Sequence, residues 1–383
     1  MRVVLPLAPF NSQLSANTAR RFQPYISMVL GICITLGLAP IDPAWAQSEN
    51  KSDTTSSSVT ANYKIEDLGE FARIADDVNV SLSDDGTVAY WIKKTDGTVH
   101  AALWRSGQTT IVEDVPGYPN TIARAINRHG DIAGWMNTSN NPVDSLSTTQ
   151  GFIRHGGNIR RIPGLGGRDS RVLGLNDKGM AVGTASATDG ARRAFVTSSS
   201  GASDLGTLPS GKSSSAYAIN NSGVIAGVAD VEGKSNHAVL WKHGKIKDLG
   251  TLPHGVTSSA RTINDRGQIA GFADTPDGVH AFLYSNGTMQ DLGTLGSDPS
   301  EASGMNNHGD VVGGSNIDAR RRHAFLWRDG RMTDLNALLP KGSPWVLSNA
   351  FSINDRGQIV CSARSKSVPL HLLLLTPQSS GAL

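Results

Sequence analysis

From residue 63 onward the chain is filled by short runs in which apolar and polar residues alternate. Residues 215–250 show the pattern: SAYAI and VIAGVA flank an Asn-Asn-Ser-Gly turn, and HAVLW is joined to KIKDLG through a Lys-His-Gly turn. Period-two runs of this length, separated by Gly-containing turns, predict β-hairpins. Beyond the first 46 residues no segment carries the 3.6-residue period of an amphipathic helix, so an all-β fold is expected.

The runs repeat. DLGTLPSGKSSSAYAINNSGVIAG starts at Asp204, DLGTLPHGVTSSARTINDRGQIAG at Asp248 and DLGTLGSDPSEASGMNNHGDVVGG at Asp291, steps of 44 and 43 residues. An Asn before a turn Gly recurs at Asn127, Asn176, Asn220, Asn264, Asn306 and Asn354, with Ser83 in the same slot of the first copy. A third marker opens a later strand at His100, Gly151, Arg193, His237, His280, His323 and His371. Both count seven units. Four strands in about 43 residues, seven times over, predict a seven-bladed β-propeller. The first DLG, at 67–69, has no unit before it, and the last unit stops after HLLLLTP. Residues 63–68 are therefore expected to supply the outer strand of the seventh blade, closing the ring and removing an exposed sheet edge. The expected propeller spans 63–376, with a flexible tail at 377–383.

The repeats resemble the HAF family of extracellular repeat proteins, which takes its name from the His-Ala-Phe triplet present here at 280–282 and 323–325. DLGTLG at 291–296 and INDRGQI at 263–269 and 353–359 carry the same resemblance. It covers about residues 63–375 and is plainest in copies four to six; EDVP and RIPGLG replace DLGTLG in the first two. It implies a secreted repeat protein and brings no catalytic residues with it.

The N-terminus agrees with export. Arg20 and Arg21 precede the apolar run 25–39, and AWA at 44–46 supplies small residues for cleavage after Ala46. An uncleaved N-terminal anchor is the alternative, and the general and twin-arginine export routes are not distinguished. Residues 47–62 are rich in Ser and Thr and read as a disordered spacer. Without residues 1–46 the chain has 32 basic and 32 acidic residues, which gives no electrostatic case for nucleic acid or for an anionic membrane. Of the two cysteines only Cys361 remains, so neither a disulfide framework nor a cysteine metal cluster is expected. The mature protein is expected to be a monomer, periplasmic or outside the cell, without membrane insertion.

GTLPSGKS, residues 206–213, matches the GxxxxGK[ST] phosphate loop. That motif needs a strand before it and a helix after it. Here it lies between two strands, and the equivalents of Lys212 and Ser213 in the next copy are Val256 and Thr257. Nucleotide binding is not expected. The recurring histidines (100, 237, 280, 323, 371) and aspartates (67, 114, 204, 248, 291, 334) are one per blade. They are expected to satisfy local turns and backbone groups rather than form a metal site. Cys361 takes the place of Gly227 and Gly271 in a second strand, as a small buried residue. No metal, cofactor or catalytic residue is assigned.

Residues that occur in one copy gather in the connections from the outer strand to the next inner strand and from the second strand to the third. These emerge on one face. They include 115–120, 137–150, 253–258, DARRRH at 318–323 and LLPKGSPWVLS at 338–348. Arg320, Arg321, Arg322 and Trp345 are the expected ligand contacts, because Arg and Trp are enriched at interface hot spots. The function expected is a rigid binding scaffold for a protein or a glycan. The alternative is a carbohydrate-active propeller enzyme with acidic residues on the variable face.

Overall fold

The computed structural model describes residues 63–71, 80–112, 115–139, 148–198, 201–232 and 235–378. The expected signal peptide at 1–46, the spacer at 47–62, Asp114 and most of the 137–150 connection lie outside them. Seven four-stranded antiparallel sheets form a seven-bladed β-propeller. In blade 4 the strands run Ser214–Ile219, Ile225–Asp230, Asn236–Lys242 and Lys245–Asp248, from the axis outward. The other blades follow the same order, and their innermost strands are Ser81–Leu82, Asn120–Ile126, Gly166–Leu175, Ser258–Ile263, Ser297–Met305 and Val346–Ile353.

Blade 7 is closed by the N-terminal strand. Tyr63–Glu70 pairs antiparallel with His371–Pro377, Tyr63 opposite Pro377 and Glu70 opposite His371. The last strand thus includes Pro377, one residue beyond the end expected at 376. Every blade then has its fourth strand.

Each blade-to-blade layer is apolar. Phe195, Phe282 and Phe325, the last residues of the His-Ala-Phe slot, are fully buried, each contributing about 1.5–3 kcal/mol through removal of its ring from water. The Ala of the slot is equally buried, and its backbone N–H leaves the blade. Ala194, Ala238 and Ala281 donate to Ser214, Ser258 and Ser300 Oγ, at 3.0, 2.8 and 2.9 Å, on the innermost strand of the next blade. Those hydroxyls donate in turn to the carbonyls of Gly206, Gly250 and Gly293 in the DLG turn. The DLG turn and the opening Ser of the next unit are thus one cross-blade tie, satisfying an edge donor that would otherwise be buried unpaired.

Gly134, Gly183, Gly227, Gly271 and Gly313 occupy one slot of the second strand, where a Cβ would strike a carbonyl oxygen of the inner strand. This close approach needs glycine. Cys361 fills the slot in blade 7, and there the inner strand carries a second register shift, between Leu347 and Asn349. Tyr90 fills it in blade 1, whose described inner strand is only Ser81–Leu82.

Candidate functional site

The recurring histidines and aspartates meet across the third and fourth strands. His237 Nδ1 lies 2.8 Å from Asp248, His280 2.7 Å from Asp291, His323 2.7 Å from Asp334 and His371 2.9 Å from Asp67. Each aspartate also accepts the backbone N–H two residues on, as Asp248 does from Gly250 at 2.8 Å. The Asp caps its own turn and holds the neighbouring strand. His371–Asp67 pins the closing strand although 304 residues separate the two. His280 has a second carboxylate, Asp298, 2.7 Å from Nε2. Burial of the ring opposes its protonation, but the hydrogen bond and charge of Asp291, with Asp298, outweigh it and raise its pKa. In blade 3 Arg193 stands in the His slot and reaches Asp204 at 3.5 Å.

The Asn before each first turn builds a belt around the axis. Asn176 Oδ1 accepts the N–H groups of Lys178 and Met180, closing its own hairpin. Its Nδ2 donates to the Asn220 carbonyl of the next blade at 3.0 Å. The same bond runs from Asn127, Asn220, Asn264, Asn306 and Asn354, the last to Ser83. The amide accepts twice on its oxygen while a separate nitrogen donates across to the next blade, which suits Asn to this place. The next residues form an outer rim. Asp265 Oδ1 accepts Asn221 N–H and its Oδ2 accepts the Asn221 amide; Asp355 does the same with Asn307. Asp177 takes Arg128 Nε at 2.8 Å and Asn221 Nδ2 at 2.6 Å. Belt and rim surround an axial depression of about 170 Å³, floored by one apolar side chain per blade: Leu82, Ile126, Leu175, Ile219, Ile263, Met305 and Ile353.

Two residues before that floor, the inner strands carry a bulge at one common place, leaving Arg124, Leu173, Tyr217, Arg261, Ser303 and Phe351 outside the pairing register. Such bulges aim side chains out of the sheet. The bulged residue is Arg in two blades and Leu, Tyr, Ser and Phe in the other four, while its neighbours repeat, and Leu173, Tyr217 and Phe351 join the apolar cluster of Phe71 and Trp91. Arg261 lies 4.4 Å over the Tyr217 ring of the preceding blade and 5.1 Å over Phe272 of its own.

The residues singled out from the sequence fall into separate networks. Arg320 is exposed, and its backbone N–H caps Asp318. Arg321 pairs with Asp318 at 2.6 Å, and together these contacts hold the Asp318 carboxyl below the usual carboxylate range. Arg322 turns inward to Glu301 on the inner strand of blade 6, at 2.9 Å. It lies over Gly314 beside Asn349 of blade 7. Trp345 is half-buried and stacks on His371 with ring centroids 5.4 Å apart; its partners are those of the ring closure. The bulged position of the inner strands was not legible in the sequence. Its only trace there is one variable position three residues before each Asn, flanked by repeated small and apolar residues.

In residues 206–213 the GK[ST] segment has no helix behind it. The amides of Lys212 and Ser213 are capped by Asp230, at 2.8 and 2.7 Å. Val256 and Thr257 are capped in the same way by Asp274. A carboxylate of the protein already holds the place a phosphate would take. Cys361 is fully buried, and burial pushes its thiol up, away from the thiolate a nucleophile needs. A second depression, of about 600 Å³, lies between blades 6 and 7 beside the closing strand. It is lined by Tyr63, Asp310, Arg328, Asp355 and Arg356, and Arg328 binds Asp310 through two 2.8 Å bonds. Among the described residues no three His, Cys, Asp or Glu side chains are grouped to hold a metal ion. No helix among them is long and apolar enough to cross a membrane.

No family model matches the chain, and no curated protein matches it. Solved structures do. An acylaminoacyl peptidase of Pyrococcus horikoshii aligns at 13% identity and a TM-score of 0.50, over 78% of this chain and 50% of the peptidase. A structure from an analysis of two prolyl endopeptidases aligns at 12% identity and 0.50, over 83% of this chain and 51% of its own length. A mutant puromycin hydrolase aligns at 10% identity and 0.50, over 80% of this chain and 53% of its own. The chain spans about half the length of each, and the likeness is one of fold.

Proposed function

We propose that this protein is a rigid binding scaffold, secreted or periplasmic after removal of residues 1–46, and a member of the HAF-repeat family. The observation that carries this reading is the state of the carboxylates near the axis. Asp177, Asp265 and Asp355 are filled by amide and guanidinium donors, and Glu301 is held by Arg322. A glycoside hydrolase needs one carboxylic acid and one carboxylate facing a shared gap; carboxylates tied this way favour binding over the carbohydrate-active alternative. The recurring polar residues serve the fold. Recognition then falls to single-copy residues on the variable face, with Arg320, Arg321, Arg322 and Trp345. The partner is an envelope or extracellular protein or glycan, met by a monomer. Neither a basic surface excess nor an open anion-binding loop supports nucleic acid or nucleotide as the partner.

The test is a glycan array and an envelope-protein pull-down with the chain from residue 47, alongside glycosidase and lyase assays on the same preparation. Saturable binding without turnover is expected. Turnover of any glycan that is lost on Glu301→Gln would replace this reading with the enzymatic one.

A further inference from the structure

We propose that the depression between blades 6 and 7, beside the closing strand, is a binding site for a neutral sugar, with the Tyr63 hydroxyl among its contacts. The inference takes the glycan branch of the scaffold reading and adds a second site to it, since none of Arg320, Arg321, Arg322 and Trp345 lines this cavity.

The site occurs once in the ring for a topological reason. In blade 4 Lys242 pairs with Lys245, and His243 and Gly244 make the turn between the third and fourth strands. In blade 7 the same register sets Lys64 opposite Thr376, so Tyr63 and Pro377 stand where that turn would be. Two separate stretches of chain meet there in place of a hairpin. The turn glycine has no side chain, whereas Tyr63 brings a ring and a hydroxyl. The ring shares an apolar cluster with Val312, Leu326 and Leu347, and the residue is only 4% exposed. Its hydroxyl makes no hydrogen bond among the described residues, yet Tyr63 lines a cavity of about 600 Å³. A buried tyrosine hydroxyl ordinarily has a partner. Burial raises the Tyr63 pKa, outweighing the pull of Arg328, so the group is a neutral hydroxyl that can both donate and accept.

The volume lies within the range of ligand pockets, about 300–1,000 Å³, and the lining decides the class of ligand. Arg328 and Arg356 share the cavity with Asp310, Asp329 and Asp355, so neither sign of charge prevails. Asp355 is filled by the backbone and side-chain amides of Asn307. Arg328 and Asp310 hold each other through two 2.8 Å bonds. An ionic ligand would have to displace one of these partners or lie beside its own sign of charge. A sugar hydroxyl does neither, because it accepts from N–H groups and donates to oxygen lone pairs that such pairs leave over. Arg328 spends only its Nε and one Nη2 hydrogen on Asp310. Arg356 uses its backbone N–H to cap Asn354, which leaves its exposed side chain to the cavity. Leu326, Leu338 and Pro377 supply the apolar contact for the C–H face of a pyranose ring.

The test is calorimetric titration of the full chain with cellobiose, maltose and lactose, and with digalacturonate and the chitosan dimer as anionic and cationic counterparts. One of the neutral disaccharides is expected to bind saturably and at least about tenfold more tightly than either charged one. Tyr63→Phe should weaken that sugar severalfold, the scale of one neutral hydrogen bond. The melting temperature should not change, because the hydroxyl has no partner within the fold. Arg356→Ala keeps the backbone cap and should also weaken the sugar severalfold. Replacing Arg320, Arg321 and Arg322 by Ser together with Trp345→Ala should leave sugar binding as it is. The proposal is overturned if no neutral disaccharide binds, if a charged one is preferred, or if Tyr63→Phe and Arg356→Ala both bind the sugar as wild type does. A chain that binds no disaccharide but holds a pull-down partner through the variable face would leave the scaffold reading standing and remove this site.

Discussion

Six of the seven blade-to-blade interfaces are tied at the axis by an Asn amide, whereas the interface between blades 1 and 2 lacks that amide and is held by other bonds, Ile126 N–H to Ser81 Oγ at 3.3 Å, Val99 N–H to Asn120 Oδ1 at 2.7 Å and Ala101 N–H to Thr121 Oγ1 at 3.0 Å, together with packing. Ser83 stands where Asn would donate to the Asn127 carbonyl, and its hydroxyl is spent on Asp85 and Thr87 of its own turn. Across this seam Trp91, Leu82 and Val88 of blade 1 share one apolar cluster with Ile122 and Trp135 of blade 2, and with Phe71 from the closing strand. Phe71 meets Trp91 at a centroid distance of 4.9 Å and Phe351 at 5.8 Å. A repeat can therefore lose its Asn tie where other cross-blade bonds and buried area hold the seam, because burial scales with surface and needs no special geometry. The two kinds of seam should differ in how they fail.

The largest effect is expected at the packed seam. Trp91→Ala removes a fully buried indole and should cost about 3–5 kcal/mol in chemical denaturation. A loss below 1 kcal/mol would mean that the cluster does not hold this interface. Next comes the belt. Asn220→Ala strips the caps from Ser222 and Val224 N–H and the donor from the Asn264 carbonyl. It should cost about 2 kcal/mol or more, since buried groups are left unpaired. Asn220→Asp keeps the acceptor and loses only the cross-blade donor, so its stability should lie between that of wild type and the Ala variant.

Converting one seam into the other is the sharper test. Ser83→Asn supplies the missing donor and should stabilise the protein by up to about 1 kcal/mol, read as a rise of about 2 °C in melting temperature. A fall would show that the packed seam has set a blade spacing the amide cannot span. The smallest effect is that of pH on a clamp. Because the folded pKa of His280 is raised, its contribution is fully present below the unfolded value of about 6.5 and is lost as pH rises through the folded value. The melting-temperature gap between wild type and His280→Gln should be wider at pH 5.5 than at pH 8.5. An equal gap at both would remove protonation from the clamp.

The repeat spacing made the propeller legible before any coordinates, and the unmatched DLG at 67–69 with the truncated last unit made the ring closure legible too. The candidate site was less so. Arg320–Arg322 and Trp345 stand out as single-copy residues, but a sequence does not show that Asp318 and Glu301 lie beside two of the arginines or that His371 lies beneath the Trp. The contact of Arg261 with the Tyr217 ring of the preceding blade was hidden for another reason. Whether a residue follows the strand alternation or leaves it depends on a bulge, and the bulge shows only in the pairing of two strands.

By itself the sequence determined the number of blades, the four strands in each and the strand that closes the ring. These follow from local periodicity and turn chemistry, which each unit carries within its own 43 or so residues. It also determined which residues recur. What those residues do was decided only by tertiary structure: that His237 meets Asp248, that Asn176 reaches the next blade, and that Asp230 fills the loop resembling a phosphate site. The physical reason is that a polar side chain takes its role from the partner that satisfies it. In a closed ring that partner lies on a neighbouring strand or blade, up to 304 residues away in the case of His371 and Asp67, at a distance no repeat pattern records.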